Sequence, residues 1–112
     1  MARLTSSVFR SNDTERGRDM ALGTGAQLDP HIAQYIYEVR PETPCLILNL
    51  GVVEARYRAL AAAMPTAAVH YAVKANPEPE VVALLAALGS RFDAASPAEV
   101  DLCLAEIGRA HV

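Results

Sequence analysis

Short apolar runs alternate with stretches of helical periodicity from Cys45 to Ala105, and this alternation constrains the fold more than any other feature of the chain. Cys45-Leu46-Ile47-Leu48 reads as a short buried strand, and Val53, Tyr57, Leu60 and Met64 follow at helical spacing through Ala63. Ala67 to Val73 reads as a second strand ending at Lys74. Asn76 is expected to cap the next helix, with Pro77 in its first turn and Glu78 and Glu80 near its positive end. Val81, Leu84, Leu85 and Leu88 form its apolar stripe, and Gly89 stops it. A third strand is expected over Arg91 to Ala95, after which Ser96-Pro97-Ala98-Glu99 is a capping-box signature with Val100 and Leu104 at helical spacing behind it. Strand–helix alternation of this kind predicts a parallel α/β sheet with helical crossovers. An open doubly wound sheet and part of a barrel both satisfy it.

The flanks differ from this centre. Residues 1–28 mix Ser, Thr, Gly, Arg and Asp with few large apolar groups, too little to offset the entropy of ordering, so a disordered leader is expected there. Met20 is an alternative start, because the organised pattern begins only after it. From Asp29 a short helix is expected, with Asp29 as N-cap, Pro30 at the first position, Ile32, Ile36 and Val39 on one side, and Pro41 and Pro44 beyond its end. With apolar residues at 52% and a net charge of -3, the chain is expected to be soluble, with no electrostatic footprint for nucleic acid or an anionic membrane. It contains no apolar run of membrane-spanning length and no basic-then-apolar leader, so a cytoplasmic location is expected. Cys45 and Cys103 lack CxxC spacing and are expected to be buried thiols, with no metal site.

Lys74 closes an apolar strand, an unusual place for a charge. Side chains alternate along a strand, so His70, Ala72 and Lys74 share one face while Val69, Tyr71 and Val73 share the other. The Val/Tyr face suits packing against helices, and the small Ala72 beneath Lys74 leaves room for a flat ligand beside the amine. Ligands of parallel α/β folds collect at the carboxyl ends of strands, where partial burial turns an amine into a nucleophile toward a carbonyl. Spacing alone favours a solvated lysine at the start of a loop. Asp93 has the parity to face the same side, Ser96 reads as a helix cap, and His70, deeper on the face, reads as a core histidine.

The string His70-Tyr71-Ala72-Val73-Lys74-Ala75-Asn76-Pro77, followed by Gly89-Ser90-Arg91-Phe92-Asp93-Ala94-Ala95-Ser96, resembles the N-terminal signature of the group IV (fold-type III) decarboxylases that depend on pyridoxal 5'-phosphate (PLP). The resemblance covers roughly residues 41 to 105 and leans toward the ornithine/lysine branch through Pro77 and Ala94-Ala95-Ser96. It implies an α/β fold, the N-terminal fragment of an alanine-racemase-like (β/α)8 TIM barrel. It further implies that Lys74 binds PLP as a Schiff base, that Ala72 and Asp93 lie beside the cofactor, and that Asp93 holds the lysine ammonium once substrate has displaced it. The implied reaction is decarboxylation of a basic amino acid, ornithine or lysine, to a diamine by a homodimeric full-length enzyme. A barrel needs about 250 residues, so this piece is expected to be inactive alone. Asn49 departs from the aspartate that relatives commonly carry at that strand end, which bears on capping rather than chemistry. Residues 106–112 also depart, and they match one reading frame of a sequencing-library adapter, so a non-native read-through tail is expected there. Diaminopimelate decarboxylase, an alanine-racemase-like enzyme and a non-catalytic PLP carrier protein are the alternatives.

Overall fold

In a computed structural model of the chain, the described residues are 5–9 and 28–110, with backbone alone for 5–9, 109 and 110. They fall into two compact units, residues 1–51 and 52–112.

In the first unit, β1 (Thr5–Phe9) pairs in parallel with β2 (Cys45–Asn49), Thr5 opposite Cys45 and Phe9 opposite Asn49. A strand at Thr5–Phe9 corrects the expectation of a leader without structure for those five residues; the rest of that expectation, apart from Leu28, lies outside the described residues. Helix α1 (Pro30–Val39) starts where its signals place it: the Asp29 carboxylate accepts from the His31 N–H at 2.8 Å, and Pro30 occupies the first turn. It ends at Arg40, whose φ of 49° is left-handed and whose N–H returns to the Ile36 carbonyl at 2.9 Å. The second oxygen of Asp29 accepts from the Asn49 amide at 3.3 Å, and the Asn49 Oδ1 accepts from the Gly51 N–H at 3.0 Å. Asn49, a buried polar residue, thereby ties the end of β2 to the α1 cap and starts α2 (Leu50–Ala63), the capping role expected of it.

The second unit holds β3 (His70–Ala72), a 3-10 turn (Val73–Ala75), α3 (Pro79–Ala87), β4 (Arg91–Asp93) and α4 (Pro97–Ala110). β3 and β4 are parallel and adjacent, with α3 as their crossover. The core is a cluster of Val73, Val82 and Cys103, against which Tyr71, Phe92, Leu102 and Ile107 pack, and Val81, Leu84 and Leu85 of α3 are also buried. The odd-numbered packing face of β3 expected from alternation is therefore the one that carries the core.

Several elements depart from the sequence reading. Among the described residues β2 pairs with β1 and β3 pairs with β4, so each unit holds its own two-stranded sheet where one three-stranded sheet was expected. β3 and β4 are shorter than expected, three residues each. Helix α3 begins at Pro79 rather than after Asn76: both Asn76 and Glu78 precede prolines and are held extended, with ψ of 104° and 126°, so Pro79 takes the first helical position. Neither α1 nor α2 buries a residue, and Ile36, Val39, Leu60 and Met64 of the expected stripes are exposed. Cys103 is buried as expected, whereas Cys45 is only half-buried. Gly89 ends α3 at a φ of 90°, while the Ser90 N–H returns to the Leu85 carbonyl at 3.0 Å. Helix α4 continues through Ala110, so residues 106–110 are helical and Ile107 packs on the core.

Candidate active site

Lys74 lies two residues beyond the end of β3, inside the 3-10 turn, rather than closing the strand as the sequence suggested. Its neighbour explains why. The Val73 side chain is wholly buried and anchors the turn, which closes as the Asn76 N–H reaches the Val73 carbonyl at 3.1 Å. The Tyr71 hydroxyl then donates to the Asn76 carbonyl at 3.0 Å, bridging the strand and the far side of the turn. On the next peptide, the Asn76 Oδ1 accepts from the Glu78 N–H at 3.1 Å. Lys74 thus sits on a segment fixed at both ends, although its own side chain is exposed and not partly buried as expected. Burial pushes the Tyr71 phenol above its ordinary pKa, with the bond to the Asn76 backbone working in the opposite sense.

The strand register brings the other expected residues to the same place. His70 is opposite Arg91, Tyr71 opposite Phe92, and Ala72 opposite Asp93. Tyr71 and Phe92 meet edge to face on the helix side, 6.5 Å between centroids at 88°. Alternation therefore places His70, Ala72, Arg91 and Asp93 together on the opposite side. On adjacent strands, paired residues are about 4.8 Å apart, so Asp93 stands beside the residue two positions before Lys74. Among the described residues Lys74 and Asp93 make no ion pair, with each other or with any other group. His70 is exposed, which corrects its reading as a core histidine; its Nδ1 lies 3.2 Å from the Ala68 carbonyl.

Ser96 is the helix cap it was read to be: its Oγ accepts from the Glu99 N–H at 3.2 Å. The Glu99 carboxylate reaches back to the Ala95 N–H at 2.6 Å, one residue before the cap, so it fixes the loop leaving β4 just after Asp93. Sequence reasoning missed this and the Tyr71–Asn76 brace. The signal for the brace was a tyrosine on a packed strand face, whose hydroxyl must find a partner. Burial, and secondly the Glu99 charge, push the Cys103 thiol up and keep it protonated. Among the described residues no group of three or more His, Cys, Asp or Glu could hold a metal ion, and no helix is long and apolar enough to cross a membrane.

What remains is an exposed primary amine just past a parallel strand, with Ala72 of that strand paired to Asp93 of its neighbour. A primary amine that is exposed, and unpaired among the described residues, fits the aldehyde end of PLP. The model of the family "Pyridoxal-dependent decarboxylase, pyridoxal binding domain" matches residues 50–111, more than half of the chain. The chain belongs to that family, and PLP is the family's cofactor.

Among curated relatives, the chain is 48% identical over 69 residues to a lysine/ornithine decarboxylase of Selenomonas ruminantium, covering 62% of this chain and 17% of that protein. It is 44% identical over 62 residues to the chloroplastic ornithine decarboxylase of Nicotiana glauca, covering 55% of this chain and 14% of that protein. It is 39% identical over 64 residues to the ornithine decarboxylase of Leishmania donovani, covering 57% of this chain and 9% of that protein. The chain thus spans less than a fifth of the length of these relatives. No solved structure matches it significantly.

Proposed function

We propose that this chain carries the cofactor lysine of a PLP-dependent decarboxylase that converts a basic amino acid, ornithine or lysine, to a diamine. In this reading the segment is the opening part of a (β/α)8 barrel in a longer, homodimeric, cytoplasmic protein, and it has no activity alone. The observation that supports it most is the pairing of Ala72 with Asp93, which sets a carboxylate beside the open face that leads to Lys74.

When bound, PLP supplies an electron sink for the pair of electrons left as the substrate carboxylate departs as carbon dioxide. The protein's part follows from its own side chains. The Lys74 amine, held on its braced turn, would hold the cofactor through its aldehyde carbon, the carbonyl oxygen leaving as water. Once displaced by the substrate amine, Lys74 Nζ would be an ammonium, and the Asp93 carboxylate would accept a hydrogen bond from it. That contact keeps the amine within reach for its return. Ala72 keeps the space between them open.

Borohydride reduction of the full-length gene product with PLP should leave one stable pyridoxyl label, on Lys74, located by peptide mass spectrometry. A Lys74→Ala variant that releases carbon dioxide from ornithine or lysine at the wild-type rate would discard the assignment.

A further inference from the structure

The face that carries Ala72 and Asp93 also carries Arg91, a residue that neither the proposed reaction nor the packing described so far uses. Arg91 is in register with His70 and precedes Asp93 by two positions on β4, so its side chain leaves the sheet on the same side as Asp93. It is exposed, and among the described residues its guanidinium has no ion-pair partner. His70 across the pair offers it nothing, because the His70 ring is turned to its own backbone at the Ala68 carbonyl. Asp93 is the one carboxylate that β3 and β4 place on this face. Glu99, the nearest acid in sequence beyond it, is already bound to the Ala95 N–H.

A guanidinium cannot shed its charge, so once this face is covered Arg91 must be paired. Residues two apart on a strand are separated by about 6.6 Å, well within the reach of an arginine side chain. Charge-assisted contacts of this kind are short and directional.

We propose that Arg91 is a positioning residue: its guanidinium holds the Asp93 carboxylate in place on the Ala72–Asp93 face of the sheet once that face is covered. The assignment rests on the proposed function, in which this face is the lumen of a PLP-binding barrel. On the covered face it gives Asp93 two cations to serve, Arg91 throughout the cycle and Lys74 only when that amine is free. Arg91 therefore keeps the carboxylate oriented through the part of the cycle when Lys74 is engaged elsewhere.

The test is a double-mutant cycle in the full-length gene product with Arg91→Gln, Asp93→Asn and the double variant. Arg91→Lys is the conservative control, and Lys74 labelling is followed in parallel. We expect Arg91→Gln to lower kcat about tenfold with KM little changed, as for a charge-assisted bond lost. Arg91→Lys should recover part of that loss, and Arg91→Gln should have no further effect on kcat in the Asp93→Asn background. The urea unfolding constants should show a coupling of at least about threefold between the two positions, a readout independent of turnover. Additive effects on both kcat and unfolding, with Lys74 labelled as expected, would overturn the Arg91 assignment alone. Absence of a label on Lys74 in the wild-type protein would overturn the reading beneath it, and this assignment with it.

Discussion

Replacing Tyr71 with phenylalanine removes one oxygen and tests what holds the Lys74 turn. The hydroxyl donates to the Asn76 carbonyl at 3.0 Å, a neutral bond in a half-buried setting, whose net worth is about 1 kcal/mol. The edge-to-face contact with Phe92 does not involve the hydroxyl, so the packing of the ring should survive the substitution. The loss is then confined to the turn, and at 1.4 kcal/mol per decade, about 1 kcal/mol makes opening of that turn about fivefold more frequent.

Amide hydrogen exchange of the full-length protein reads this directly. The Asn76 N–H, bound to the Val73 carbonyl, and the Glu78 N–H, bound to the Asn76 side chain, should exchange about fivefold faster in Tyr71→Phe. The Val82 N–H, bound to the Glu78 carbonyl at the start of α3, should keep its wild-type rate. Unchanged exchange at Asn76 and Glu78, or equal acceleration at Val82, would show that the hydroxyl does not brace the turn.

The same variant has a pH signature. Because the folded state raises the Tyr71 pKa, it binds more protons than the unfolded chain at alkaline pH. Tyr71's contribution is fully present below the unfolded value of about 10 and is lost as pH rises through the elevated folded value. Tyr71→Phe should flatten this part of the alkaline stability curve.

Other expectations concern the frame around the site. Gly89 has a φ of 90°, and no atom lies within 4 Å of where a Cβ would be. Gly89→Ala should therefore cost about 1–2 kcal/mol through backbone conformation alone, and Gly89→Asn less; an alanine variant with the wild-type urea midpoint would refute this. Ser96→Ala removes the acceptor for the Glu99 N–H and should cost about 1 kcal/mol, whereas Ser96→Asp should retain most of it, as checked by thermal unfolding. Cys45 should be alkylated by iodoacetamide at neutral pH well before Cys103, whose burial and neighbouring Glu99 keep it a thiol; equal rates in the folded protein would contradict that arrangement.

The features legible in the sequence are those decided within a few residues. Asp29, Ser96 and Gly89 act where their local chemistry places them, because a cap or a left-handed turn is satisfied by the backbone next to it. Strand parity was legible for the same reason, and with it the separation of Tyr71 and Val73 from Ala72. Two readings failed for reasons of competition. The Asn76-Pro77 start of α3 was outweighed by a second proline two residues on, and the lysine expected at a strand end was drawn into a turn by the burial of Val73. The stripes of α1 and α2 have the right period, but period does not say whether a partner surface lies opposite.

From Asp29 onward the order of elements, the caps at Asp29 and Ser96, the stop at Gly89, and the motif that carries Lys74 follow from the amino-acid sequence alone, since each depends on dihedral preferences and neighbours close along the chain. Which strands pair depends on contacts between residues far apart in sequence, which no local pattern encodes. Only the folded chain sets β1 beside β2 and β3 beside β4, and only the second of those registers brings Asp93 next to Ala72 and Arg91 to the same face.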